Sequence, residues 1–188
     1  MKAAFFQRPV LEVAPELIGA ELYVSGVGGV IVEVEAYEPG DPASHAFGNR
    51  RTKRNGAMFL PGGHAYVYRS YGIHWCVNLV CEAEGIAAAV LVRALEPVRG
   101  LVEMRARRGA VDDRLLCAGP GRVCQALGLT REHDGLPLDR PPFDLRARVV
   151  EPELLVGPRI GLTKGVERPW RFGLAGSRYL SRGFAARP

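Results

Sequence analysis

Residues 31–55 read IVEVEAYEPGDPASHAFGNRRTKRN. The first seven alternate about a β-branched spine, so residues 28–37 are expected to form a strand. In a regular strand Val30, Val32, Val34 and Ala36 share one face and Ile31, Glu33, Glu35 and Tyr37 the other. Two carboxylates on one face of an apolar strand imply that this end opens on a groove. The rest of the stretch carries Pro, Gly, Asn and a dense cationic run, Arg50, Arg51, Lys53 and Arg54. Residues 38–63 therefore read as one long loop, and loops of that length inside a domain are functional or disordered. A carboxylate at a strand mouth beside a cationic surface points to hydrolysis performed on a polyanion.

Outward from this core the pattern stays mixed. Residues 15–22 read as a short helix with Pro15 in its first turn. HAYVYRSYGIHWCVNLVCE (64–82) reads as two strands joined near Tyr71-Gly72, and IAAAVLVRALEP (86–97) as a strand ending at Pro97. LVEMRARRG and RLLCAGPGRVCQALGL read as helices or broken helices; Cys117 and Cys124 are read as helical within the second, and Gly119-Pro120-Gly121 as the start of a helix carrying Val123, Leu127 and Leu129. PRIGL and WRFGLAG read as short strands. Without repeats or an obvious linker, the 188 residues are expected to make one domain, 1–188, of α+β class: a curved, mostly antiparallel sheet flanked by helices.

Composition narrows the classes. The apolar share of 47% and charged share of 24% are those of a globular protein. No apolar run is long enough for a membrane span, and the start lacks the apolar core of a signal peptide, so a cytoplasmic, nucleoid-associated location is expected. Net charge is +5, carried mainly by arginine, with lysine only at positions 2, 53 and 164. Arginine suits bidentate phosphate contacts. The four cysteines form no C-x-x-C pair and read as reduced thiols. His45, His64, His74 and His133 show no metal-ligand spacing.

Several residues could do chemistry. Glu35 can act as a general base on water or can pair with one of the arginines; the sequence leaves both open. Arg93, inside an apolar strand, needs an anionic partner, with Glu35 the natural candidate. Asn78 is a second polar intruder that must be satisfied or must read a ligand. Tyr66 and Tyr68 share a strand face, and Tyr71 sits at a tip, where an aromatic can wedge into a base stack. Tyr37, His45 and Tyr68 could wall an unstacked base.

In order along the chain, VEVEAY, DPASH, RRTKRN followed by MF, YVYRSYGIHWCVN, VLVRALEP, AGPGRVCQALGL and PRIGL resemble the alkyladenine (methylpurine, or 3-methyladenine) DNA glycosylases. The similarity runs from about Leu11 to Ser181. The resemblance implies that Glu35 activates the water that attacks C1′ of a flipped nucleotide. Arg93 and the main-chain carbonyl of Ile160 would hold that water. Tyr37, His45 and Tyr68 would stack on the extruded base, with Leu91 and Asn78 completing the pocket and Asn78 obstructing the 2-amino group of normal guanine. Tyr71 would fill the gap in the duplex, and Arg50, Thr52, Lys53, Arg54 and Met58 would contact DNA. It further implies a monofunctional enzyme acting as a monomer on double-stranded DNA containing alkylated or deaminated purines, with neither metal nor organic cofactor. The rival readings are a catalytically silent basic domain that binds nucleic acid, and a metal-dependent phosphodiesterase, for which the sequence lacks a carboxylate cluster.

Overall fold

A computed structural model describes residues 1–109 and 112–184. Two short helices, α1 (Ala3–Phe6) and α2 (Val10–Glu16), precede the hairpin of β1 (Glu21–Val24) and β2 (Val27–Tyr37). After the long loop come β3 (Ala65–Ser70), β4 (His74–Cys81) and β5 (Ala88–Arg99), then helices α3 (Leu101–Arg108) and α4 (Pro120–Leu127). Strands β6 (Phe143–Arg146), β7 (Leu154–Gly157) and β8 (Arg171–Leu174) complete the chain. All pairings are antiparallel and the sheet order is β3-β4-β5-β2-β1-β6, with β8 paired to both β2 and β7. The class is α+β, a curved antiparallel sheet with helices against it, as the sequence implied.

One face of the sheet carries the main core. There Ile31, Val34, Ala36, Val67, Val77, Leu79, Val90 and Val92 meet Val13 and Leu17 from the α2 side and Val123 and Leu127 from α4. Helix α2 buries Val10, Val13 and Ala14, and Leu17 follows one turn later: the i, i+3, i+4, i+7 stripe of an amphipathic helix. A smaller apolar cluster of Ala46, Met58, Phe59, Tyr66, Val80, Ala87 and Ala89 lies under the long loop.

The strand hinge is set by two glycines. A Cβ on Gly28 would lie 2.0 Å from the Leu22 carbonyl oxygen, and one on Gly29 would lie 1.8 Å from that of Glu96. Only glycine lets three strands approach so closely here.

Several expectations need correction. The helix expected over 15–22 is α2, Val10–Glu16, so Pro15 sits in its last turn, not its first. Glu21 and Leu22 pair with Val30 and Gly29 instead, because sheet hydrogen bonding overrides the local helical pattern. The face assignment of β2 is interrupted by two compensating bulges. Ile31 pairs with Leu95, Glu33 with Ala94 and Val34 with Val92, so Val32 and then Arg93 are unpaired extras. The bulge transfers Ile31 to the core face with Val34 and Ala36. Strand β5 runs two residues past Pro97. Cys117 lies before α4, buried but not helical. PRIGL is an irregular loop rather than a strand. Strands β6 and β7 lie in stretches not read as strands, where four residues carry little alternation, and β1 is overlapped by the expected helix.

Candidate active site

The sheet register assembles one row of side chains across four strands. Glu35 pairs with Leu91, Leu91 with Asn78, and Asn78 with Tyr66. Residues two positions away along each strand, Tyr37, Arg93, Cys76 and Tyr68, join the same face because side chains alternate with period two. With His45, Ala43, Arg54, Met58 and the loop residues Ile160–Leu162 they enclose a cavity of about 510 Å³. That volume lies in the range of small-molecule sites.

Glu35 is fully buried beneath this cavity. Its Oε1 accepts the Ile160 N–H at 2.7 Å; its Oε2 accepts the Tyr37 hydroxyl at 2.9 Å and Arg93 Nη1 at 3.3 Å. An ionised carboxylate offers about four acceptor sites, and protein donors fill three. Arg93 spends Nε on Glu33 at 3.2 Å and Nη1 on Glu35. Its Nη2 has no partner among the described residues, and Arg93 lines the cavity. The site thus presents an open carboxylate position next to an open guanidinium donor. Burial first, then the adjacent Glu35 charge, push the Tyr37 phenol well above its ordinary value of 10.0, so its hydroxyl stays a donor. Burial likewise raises Tyr66 and Tyr68.

The aromatic wall is ordered. Tyr66 and Tyr68 stack with centroids 5.3 Å apart, and His45 meets Tyr68 edge-on at 4.4 Å. His45 Nδ1 lies 3.1 Å from the Tyr66 hydroxyl. Asn78 is buried, and its amide donates to the Tyr66 carbonyl at 3.1 Å, which fixes the side chain at the cavity wall. Leu91 and Met58, 5% and 3% exposed, are cavity walls rather than outer surface.

Tyr71 is 90% exposed at the tip of the β3–β4 turn. Tyr71 and Gly72 both take left-handed backbone angles, φ 50° and 69°. Positive φ at both residues, with the Ile73 N–H donating to the Ser70 carbonyl, makes a type I′ turn inside the three-residue loop between the paired Ser70 and His74, and for a tyrosine this backbone is strained by about 1–3 kcal/mol.

The basic loop lies on the same side of the molecule. Arg50, Arg51, Thr52, Lys53 and Arg54 are exposed. Asn55, which sequence reasoning did not single out, pins them: its amide donates to the carbonyls of His45 and Arg50, each at 3.0 Å, and its Oδ1 accepts the Thr52 N–H at 2.7 Å. The Thr52 hydroxyl accepts from the Asn55 N–H at 3.4 Å. Arg54 stacks over the Tyr68 ring at 5.3 Å, which joins the cationic loop to the cavity rim.

Sequence reasoning also missed the ion pairs that hold the site. Asp41 and Arg159 are buried against each other, and Arg159 Nη1 donates to the Ala36 carbonyl at 2.9 Å. The arginine lies between the rings of Tyr37 (4.6 Å) and Trp170 (5.2 Å). Asp41 opens the DPASH motif and Arg159 directly precedes Ile160, so this pair anchors the loop that delivers the Ile160 N–H to Glu35. Among the described residues no group of three or more His, Cys, Asp and Glu could hold a metal ion. No helix there is long and apolar enough to cross a membrane.

His45 gives a pH signature. Burial, then the Arg54 charge, hold its imidazole below the ordinary value of 6.5. The unfolded chain therefore binds this proton first as pH falls. The stability His45 contributes is complete above 6.5 and is lost as pH drops through the depressed folded value. The effect is small because the ring is open to solvent on its cavity side. Urea midpoints from about pH 8 to about pH 5 should fall more for wild type than for His45→Asn; parallel curves would refute the assignment.

A family model described as methylpurine-DNA glycosylase matches residues 4–178. A protein of Rhodopseudomonas palustris is 63% identical over 181 residues, covering 96% of this chain and 90% of its own length. One of Bradyrhizobium diazoefficiens is 60% identical, covering 98% and 92%, and one of Rhizobium meliloti 58%, covering 96% and 95%. All three carry the name "Putative 3-methyladenine DNA glycosylase". With a match over almost its whole length, this chain belongs to the methylpurine-DNA glycosylase family.

Proposed function

We propose that the protein is a monofunctional DNA glycosylase that flips alkylated or deaminated purines, such as 3-methyladenine, 7-methylguanine and hypoxanthine, out of duplex DNA and hydrolyses the N-glycosidic bond. The observation that carries this reading is the unfilled acceptor site on Glu35 beside the unfilled Nη2 of Arg93, at the floor of a cavity walled by aromatic rings.

A water held between these two groups passes a proton to Glu35 as its oxygen bonds to C1′. The glycosidic electron pair leaves with the purine, and an abasic site remains. The sugar develops oxocarbenium character, as in glycoside hydrolysis, and the Glu35 charge lies where that positive charge grows. Alkylation at N3 or N7 makes the purine cationic, a better leaving group and a better stacking partner for Tyr37, His45 and Tyr68. Asn78, held by the Tyr66 carbonyl, would crowd the 2-amino group of normal guanine; 7-methylguanine carries the same group, but its cationic ring leaves far more readily and so tolerates the poorer fit. Tyr71 would occupy the space vacated by the flipped nucleotide. The exposed cations of residues 50–54 would carry the phosphate contacts that make binding salt-dependent. No lysine lines the cavity among the described residues, which fits hydrolysis without a Schiff-base lyase step. The protein would act as a monomer in the cytoplasm, on the nucleoid.

The test is release of hypoxanthine or 3-methyladenine from a duplex in EDTA. Strand cleavage should follow only after alkali, and borohydride should trap no adduct. Tight duplex binding without base release would instead mark a binding module.

Tyr71 allows function and fold to be separated. Tyr71→Gly relieves the positive φ, so stability should hold or rise. Base release should nevertheless fall at least about tenfold, because unstacking costs a few kcal/mol and the wedge that offsets it is gone. Unchanged release would remove Tyr71 from the flipping step.

A further inference from the structure

A second buried carboxylate lies one pleat from Glu35. Glu33 is fully buried, and its acceptor sites are filled. Oε1 accepts from Arg93 Nε at 3.2 Å, Arg171 Nε at 2.7 Å and Ser181 Oγ at 2.9 Å; Oε2 accepts the Ser181 N–H at 2.5 Å. With about four sites occupied, Glu33 has no place for a water and does not itself meet the cavity. It reaches the site through one residue, Arg93, whose guanidinium it holds by Nε while Nη1 meets Glu35. Two glutamates and two arginines balance in charge, as a buried cluster must.

The far side of the cluster is closed by the segment that follows β8. Arg171 donates to the carbonyls of Arg182 and Gly183, and the Phe184 ring lies over its guanidinium at 3.8 Å. Phe184 and Leu180 pack against Gly173, where a Cβ would come within 2.5 Å of the Phe184 ring. Residues 180–184 lie beyond the 4–178 matched by the family model. They make no contact with the cavity, yet they supply two of the four hydrogen bonds on Glu33.

We propose that Glu33 and the segment Leu180–Phe184 are a positioning device for Arg93, which rests on the reading of Glu35 and Arg93 as the water-activating pair. Arg93 is flanked by two carboxylates. If Glu33 loses its charge, Arg93 is drawn wholly onto Glu35, occupying the acceptor position meant for water. Ser181 acts one step earlier, by fixing which Glu33 oxygen faces Arg93.

The experiment measures single-turnover base release and duplex Kd for wild type, Glu35→Gln, Glu33→Gln, Ser181→Ala and the Glu33→Gln/Ser181→Ala double variant, each normalised to folded protein. Glu33→Gln should slow release about 100-fold, the scale expected for a displacement of about 1 Å, with Kd unchanged. Ser181→Ala should slow release less, also at unchanged Kd. The double variant should be no slower than Glu33→Gln, since Ser181 works through Glu33. A merely structural pair would lower the unfolding midpoint and leave the rate per folded molecule untouched, which overturns the proposal. So would full additivity in the double variant. Should Glu33→Gln fail to fold, Ser181→Ala decides alone: slowed release at constant Kd supports the proposal and a wild-type rate overturns it. Glu35→Gln separates the layers. If it is inactive while Ser181→Ala is normal, only the positioning device falls; if it excises at the wild-type rate, the reading beneath it falls as well.

Discussion

Asp41→Ala is expected to destabilise the fold by about 3–5 kcal/mol, the usual cost of removing one partner from a buried ion pair. Both side chains are shut off from solvent. Asp41 Oδ1 accepts Arg159 Nη2 at 2.9 Å and the Ala43 N–H at 3.1 Å, so its loss strands a guanidinium whose Nε already lacks a partner among the described residues. Arg159 cannot escape its charge by losing a proton. Its other contacts, the Ala36 and Gly165 carbonyls and the Tyr37 and Trp170 rings, do not neutralise it. Urea unfolding at constant pH measures the loss. Asp41→Ala/Arg159→Met should recover part of it, because the uncompensated charge is gone. Base release should fall in both variants at temperatures where they stay folded, since Arg159 sets the position of Ile160. A loss below about 1 kcal/mol, the range of a surface pair, would show that the pair is not the anchor described.

Glu35→Gln should slow base release about 10²–10⁴-fold, the scale of a positioned general base, while duplex affinity stays near wild type. Glutamine keeps the volume, and one oxygen can still accept the Ile160 N–H. It can neither take a proton from water nor offer a negative charge to the developing oxocarbenium. Its amide nitrogen would replace Oε2, setting a donor against Arg93 Nη1, while the Tyr37 hydroxyl can turn to accept. Binding is expected to survive because Glu35 is fully buried beneath the cavity, whereas the loop cations and Tyr71 are exposed at its rim and beyond.

Strand β2 was legible because an alternating β-branched run has a period that little else imitates. The hairpin around Tyr71-Gly72 was legible from its aromatic alternation and its glycine. The pairing of Arg93 with an acid followed from the cost of a lone charge in an apolar strand, and the register places it on Glu35. What stayed hidden was long-range. Glu33 looked like a neighbour of Glu35, and nothing local announces that Arg171 and Ser181, well over a hundred residues later, close around it. Asp41 and Arg159 are 118 positions apart, and nothing beside either residue in the chain points to the other. The bulges at Val32 and Arg93 leave no sequence signal, yet they move Ile31 from the carboxylate face to the core. Alternation identifies a strand; its partners and slips are decided by packing between segments far apart in the chain.

The proposed reaction rests on a carboxylate with one open site and an arginine beside it. Its most direct test is single-turnover release of one lesion, hypoxanthine in a defined duplex, by wild type and Glu35→Gln side by side in EDTA, with Kd measured on the same duplex. Release by wild type, a loss of at least about 100-fold in the variant and matching Kd values are the predicted result. Equal rates in the two proteins would contradict it.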